Sequence, residues 1–285
     1  MDSHGWRLIY QIIREVARSL GHLSRRFRYS DALIVAMFLW CVAHDRPLCW
    51  ACGRQHYYRW FRPRRLPSVS QFTRRLYSPR VVQILTEVFH RLAETDRVTP
   101  VCCLDGRPLV VGPCSKDPEA RPGRVYGGFA RGYKLHVLVS EDRRVLCWSV
   151  TALNVDERRV ARVLLAQVRP RGLVLADGHY DDRHLYEQLQ ESGGQLLTPV
   201  PVNAGKGHHP PSPARLVAIQ AWQGLAGYPY RDRIGVEQCL AHQCTFGGGL
   251  GPLPAWVRTQ ARVQRWVGAK LIIYHARLRV RRSVA

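Results

Sequence analysis

The chain of 285 residues carries 43 Lys and Arg against 21 Asp and Glu, a formal net charge of +22, and 46% of its residues are hydrophobic. That hydrophobic share excludes a disordered polymer, and the length allows one large domain or two smaller ones. A charge of this size repels itself and calls for a polyanionic partner; its carrier is arginine, the only lysines being Lys116, Lys134, Lys206 and Lys270, and arginine's planar fork suits phosphate.

Residues 1–20 alternate polar and apolar side chains at helical spacing, without the charged start and apolar block of a secretory signal. The longest apolar run, residues 32–43, falls short of the roughly 20 needed to span a bilayer and reads as a buried helix. Nine cysteines form no even disulfide framework, and Cys41, Cys102 and Cys147 sit inside apolar runs, as in a reduced, cytosolic protein. Cys49, Cys52 and His56 lack the second Cys pair of a zinc finger.

Residues 1–98 read as an all-helical region. Trp6, Ile9, Ile13, Val16 and Leu20 repeat at three and four. Ser30 or Asp31 caps the next helix. A stretch of Arg54, Tyr57, Tyr58, Arg59, Trp60 and Arg62 follows, broken by Pro63 and Pro67. Residues 68–76 open on a capping serine and carry Arg74 and Arg75 outward, and a last helix runs from about Pro79 to Ala93. Short helices with a basic one presented outward fit a helix-turn-helix-like DNA-binding unit as well as they fit a plain bundle with a solvated face.

From Thr99 the pattern changes. Residues 101–105 form a strand-like run ending in Asp105, continued by residues 108–111, and a Gly-rich loop is expected over 112–132. Residues 133–139 and 144–150 alternate at period two, completing a three-stranded meander. Asp156 caps a helix carrying Val160, Val163, Leu164 and Val168. Residues 173–176 form a short apolar strand ending at Asp177; Asp181 or Asp182 caps the helix beyond, and residues 195–200 read as another strand. Residues 202–213 form a loop with His208 and His209, helical spacing resumes at Arg233, and a final helix carries Trp256, Val263, Val267 and Leu271 before a basic tail. The order is that of an α/β protein with a mixed five-stranded sheet flanked by helices, residues 99–285, preceded by the helical region 1–98.

Asp105 and Asp177 each end a core strand, and Glu237 lies on a helix four residues after Arg233, hence on the same face. Three carboxylates in so basic a chain suit hard divalent cations, which take oxygen ligands and, in pairs, promote in-line displacement at phosphorus. The bland alternative makes the aspartates turn and cap residues and the Arg233–Glu237 pair a surface ion pair worth under about 1 kcal/mol.

Asp105-Gly106-Arg107-Pro108-Leu109, Gly132-Tyr133-Lys134-Leu135-His136, Asn154-x-Asp156-Glu157, Asp177-x-x-Tyr180-Asp181 and Tyr230-x-x-Arg233-x-x-x-Glu237 together resemble the DDE transposases of bacterial insertion sequences. The resemblance covers roughly residues 30–280. It implies an RNase H-like catalytic domain, a catalytic and metal-binding triad of Asp105, Asp177 and Glu237 holding two Mg²⁺ ions (with Mn²⁺ able to substitute), and DNA-backbone contacts from Tyr230 and Arg233. Lys134, Arg74 and Arg75 are further expected DNA contacts. The implied partners are double-stranded DNA, as terminal repeats and target, and a second copy of the chain at synapsis; the implied setting is the bacterial cytoplasm and nucleoid, away from the membrane. The implied reaction is hydrolysis at the element's end followed by strand transfer of the freed 3′ hydroxyl. An inactive DNA-binding descendant and a nuclease without strand transfer are the alternatives. The family's Lys seven residues beyond the Glu is here Cys244.

Overall fold

A computed structural model describes residues 3–21, 28–59, 61–94, 99–199, 212–225, 233–245, 249–251 and 253–284. The chain divides into two compact units: residues 1–94 with 243–257 and 261–285, and residues 95–242 with 258–260. The final helix therefore groups with the N-terminal helices, not with the sheet as the sequence suggests.

In the first unit, α1 (Ser3–Ser19) turns Trp6, Ile9, Ile13 and Val16 inward. The apolar run becomes α2 (Asp31–Ala43), buried around nearly its whole circumference. Trp40 is the hub of an aromatic cluster: its ring lies 4.7 Å from Trp6 and 5.3 Å from Phe61, and its indole N–H donates to the His56 carbonyl at 3.0 Å. Helix α3 (Val69–Leu76) starts with a full capping box of Ser68 and Gln71, and α4 (Pro79–Ala93) has proline in its first turn.

Ser30, not Asp31, caps α2, accepting from the Leu33 amide at 3.2 Å. Asp31 is 7% exposed and accepts from both Arg75 and Arg80 Nε, the latter at 3.0 Å. Arg80 also donates to the Leu20 carbonyl at 2.9 Å. One carboxylate thus ties α2 to α3 and α4, and through Arg80 to the end of α1.

The second unit holds a six-stranded mixed sheet. Its strands are β1 (Val101–Val110), β2 (Arg121–Val125), β3 (Gly128–Ser140), β4 (Val145–Ala152), β5 (Leu173–Leu175) and β6 (Gln195–Leu197). The order is β2-β3-β1-β5-β6, with β4 also paired to β3. The expected loop at 112–132 supplies the extra strand: β2 pairs with the first residues of β3, and β4 with the rest. Alternation could not show this, because residues 121–132 mix Arg, Pro and Gly with few apolar side chains.

Helices α5 (Glu157–Val168), capped by Asp156, and α6 (Arg183–Glu191), capped by Asp182, share a core with Cys102, Leu104, Leu138, Val174 and Ala176. Asp181 is instead paired with Arg215 Nη2 at 2.6 Å, on α7 (Pro213–Leu225). Helix α8 (Ile234–Thr245) carries Glu237; α9 (Gln260–Val284) begins after Trp256, which lies outside it. Residues 200–211, including His208 and His209, lie outside the described residues, as does Tyr230. No described helix is long and apolar enough to cross a membrane.

Removing one partner from a buried ion network leaves the others uncompensated. Asp31→Ala is expected to cost about 3 kcal/mol, read as a lowered urea midpoint by far-UV circular dichroism; an unchanged midpoint would show that Asp31 does not tie the helices together.

Candidate functional site

The site is built on the pairing of β1 with β5. These strands run parallel, Cys102 beside Val174 and Cys103 beside Leu175. Side chains alternate between faces along a strand. Cys102, Leu104, Val174 and Ala176 belong to the core against α5 and α6, so Asp105 and Asp177, the next residue of each strand line, fall together on the opposite face.

Asp105 lines a cleft of about 330 Å³ with Gly106, Arg107, Pro108, Glu237 and Leu240. Its Oδ1 accepts from the Gly106 amide at 2.8 Å. Burial pushes its carboxyl up from 3.8 to about 6; the Gly106 amide and the Arg233 guanidinium pull it down, while Asp177 and Glu157 push it further up. Asp177 is not idle locally: its Oδ1 accepts from the His179 amide at 2.9 Å, capping a single 3₁₀ turn at Gly178–Tyr180.

Glu237 is 60% exposed and lies 3.6 Å from Arg233 Nη1, the expected i,i+4 pair. The fold thus brings Asp105 beside Asp177 and sets Asp105 and Glu237 on one cleft. Among the described residues, no three His, Cys, Asp or Glu side chains converge on one ion position.

Lys134 lies behind this face. Its ammonium, 12% exposed, pairs with Glu157 at the start of α5. Burial favours the neutral form of Glu157, but Lys134 outweighs it, and the carboxyl is held below its usual range. A Cβ on Gly106 would come within 3.3 Å of Lys134 Cδ and 3.4 Å of Glu157 Oε2. The ion pair therefore abuts the backbone next to Asp105, and glycine lets it approach.

Tyr180, 1% exposed, completes the cluster. Burial, then the charges of Glu157, Asp105 and Asp177, push its phenol well above the ordinary range, so it stays protonated. His136 is buried too; burial lowers it to about 4, and its Nε2 meets Thr151 Oγ1 at 2.9 Å. Glu157 and Tyr180 were not among the expected site residues, although both stand in the quoted motifs.

Of the expected DNA contacts, Arg74 is exposed, whereas Arg75 is engaged with Asp31 and Lys134 with Glu157. Arg233 faces the Asp105 cleft. The Cys244 side chain lies outside the described residues.

The donors at the cleft are hard carboxylate oxygens, and the buried, raised carboxyl of Asp105 is one that a cation would return to its charged form. A divalent ion fits this set.

Because the fold favours the protonated form of Asp105, its charge opposes folding. The opposition is absent below about pH 4, grows as pH rises through 6 and is constant above. A rise from 3.8 to about 6 corresponds to about 3 kcal/mol. In metal-free buffer, Asp105→Asn is expected to match the parent in urea stability near pH 4 and to exceed it by up to about 3 kcal/mol at pH 7–8. A gap that does not vary with pH would contradict the burial of this carboxylate.

Residues 96–274 match the family model described as a transposase DDE domain. The fold superposes on a piggyBac transposase, seen in a synaptic complex with hairpin DNA, over 96% of this chain and 73% of that one, at 11% identity and a TM-score of 0.51. A Mos1 transposase in a paired-end complex with its left transposon end aligns over 79% of this chain and 82% of that one, at 14% identity and a TM-score of 0.25, too low to bear on the argument. No protein of curated function matches the sequence. The family match takes in well over half of the chain, strands β1 to β6 included, and the chain belongs to the DDE transposase family.

Proposed function

We propose that this transposase cuts a phosphodiester at the end of a mobile DNA element and joins the freed 3′ hydroxyl to target DNA, with Asp105, Asp177 and Glu237 holding two divalent cations, Mg²⁺ in the cell and Mn²⁺ as a substitute. The observation that carries the reading is that Asp105 and Asp177 each follow by two residues the last paired positions of β1 and β5, Cys103 and Leu175, close enough for the charge of Asp177 to raise the Asp105 carboxyl, with Glu237 on the Asp105 cleft. Bound cations would neutralise charge at the cut phosphate and activate a water.

The chain's own groups position and balance charge. Asp105 and Asp177 follow the paired ends of β1 and β5; Glu237, exposed on α8 and paired with Arg233, lines the same cleft as Asp105. Arg233 supplies a guanidinium beside Asp105, suited to a DNA phosphate. Tyr180 remains a protonated donor beside the carboxylates. The Lys134–Glu157 pair backs the strand at Gly106. Tyr230, Arg74 and the surplus of arginine would hold the DNA backbone, and a second copy of the chain would bring the second end. The setting is the bacterial cytoplasm, on nucleoid DNA.

Incubation with the flanking terminal DNA and Mg²⁺, read as product ends on a gel, is the test. Asp105→Asn, Asp177→Asn and Glu237→Gln are each expected to abolish cutting with duplex binding retained. Cutting that survives one of them removes that residue from the triad. A pre-cut end with a free 3′ hydroxyl should be joined to target; release without joining would mark a nuclease.

A further inference from the structure

β2 and β3 form a two-stranded ribbon in which Val125 faces Gly128 across a turn of Tyr126 and Gly127, the latter at φ 81°. The ribbon's two faces differ. On one, Gly123 lies so close to Leu153 that a Cβ would fall 2.6 Å from its carbonyl oxygen. On the other, Arg124 stands directly across from Phe129. Phe129 is 80% exposed and Tyr126, at the turn, is fully exposed.

Two rings in water gain nothing for the fold, since the apolar stabilisation of an aromatic comes from its burial. The ribbon is nevertheless fixed: Arg131 donates to the carbonyls of Asp117 at 3.0 Å and Ala120 at 3.2 Å at its base. Its charge has one sign, for no Asp or Glu occurs from Arg121 to Ser140, and Arg121 and Arg124 point outward. A partner that satisfies both features offers anions to the arginines and flat apolar faces to the rings. Double-stranded DNA offers phosphates and base steps, and its major groove admits a two-stranded ribbon.

Register adds a position. Asp105 pairs with Val137 on β3, and Phe129 lies eight residues earlier on that strand. At the rise of an extended strand this is roughly 27 Å, or about eight base pairs. We propose that the β2–β3 ribbon is a DNA-binding element, with Tyr126 and Phe129 contacting bases and Arg121 and Arg124 phosphates, on the duplex whose scissile bond lies at Asp105. The proposal rests on the catalytic reading above and adds the surface that grips the flanking duplex.

The experiment measures affinity for the terminal duplex, its salt dependence and its crosslinks in the full chain. Tyr126→Ala with Phe129→Ala is expected to lose about tenfold in affinity, with Tm unchanged because both rings are already solvated. Arg121→Ser with Arg124→Ser should lower the slope of log affinity against log salt by about two. A benzophenone side chain at position 129 should crosslink to nucleotides about eight base pairs from the cut. Unchanged affinity and no DNA crosslink would overturn the proposal. So would altered sedimentation of the DNA-free variant, which would make the rings a contact between copies, or binding to anionic vesicles in place of DNA. A parent chain that cuts terminal DNA beside an unaffected ribbon variant sinks the ribbon alone; a parent that neither binds nor cuts sinks both readings.

Discussion

The parallel pairing of β1 with β5 is the constraint from which the site follows. Three residue pairs, Val101–Leu173 to Cys103–Leu175, set the register. Each strand gives alternate residues to the core against α5 and α6. Burial of Leu104 and Ala176 on that side leaves Asp105 and Asp177 no choice of face. A slip of one residue in β1 would put Asp105 into the hydrocarbon core and Leu104 at the cleft, so the energy that aligns the strands also aligns the acids. No bond between the carboxylates is required, and their charges repel.

Placing a carboxylate where burial disfavours its charge needs support from the surroundings. In front, Asp105 has the Gly106 amide and the field of Arg233. Behind, Lys134 satisfies Glu157, so the helix start at α5 adds little uncompensated charge. His136 is held neutral by burial and adds no positive charge that would compete with Lys134. Tyr180 fills the space between with a phenol that can donate but does not ionise. This second layer is polar and only partly satisfied: Lys134 and Glu157 pair with each other, whereas the Tyr180 hydroxyl and His136 Nδ1 are buried without a hydrogen-bond partner among the described residues, a cost to stability that the surrounding packing must offset.

Much of this was legible in the chain. β1, β4 and α4 follow from alternation and helical spacing, and Asp105 and Asp177 stand where apolar strands stop. The rest was hidden for identifiable reasons. β2 has no period-two apolar pattern, because one face of the ribbon meets glycine and backbone and the other meets water. The grouping of α9 with the first unit depends on long-range contacts such as that between Lys270, 2% exposed, and Asp45, and sequence spacing carries no trace of those. Lys134 is an expected DNA contact; that it turns instead toward Glu157 at the start of α5 depends on the register of β3 with β1, which the alternation of its neighbours does not reveal. Glu157 is an acid in the first turn of α5, a position where acids are common for the helix dipole alone, so the sequence does not single it out.

The balance of charge separates holding DNA from cutting it. The chain as a whole is at +22, which draws a duplex from a distance. At the cleft the acids gather: Asp105 and Glu237 share its lining with Arg107, and Asp105 lies in the field of Asp177. On the proposed reading, a scissile phosphate would be repelled there until positive charge intervenes, while phosphates a few base pairs away would meet arginine. Removing one of the acids therefore lowers the cost of bringing DNA to the cleft, even as it removes what the chemistry needs. Removing an outward arginine acts in the opposite direction, on grip first and on cutting only through grip. If the proposed assignments hold, a variant that binds well and does not cut points to the strand ends, and one that cuts poorly because it binds poorly points to the ribbon or to Arg74 and its neighbours.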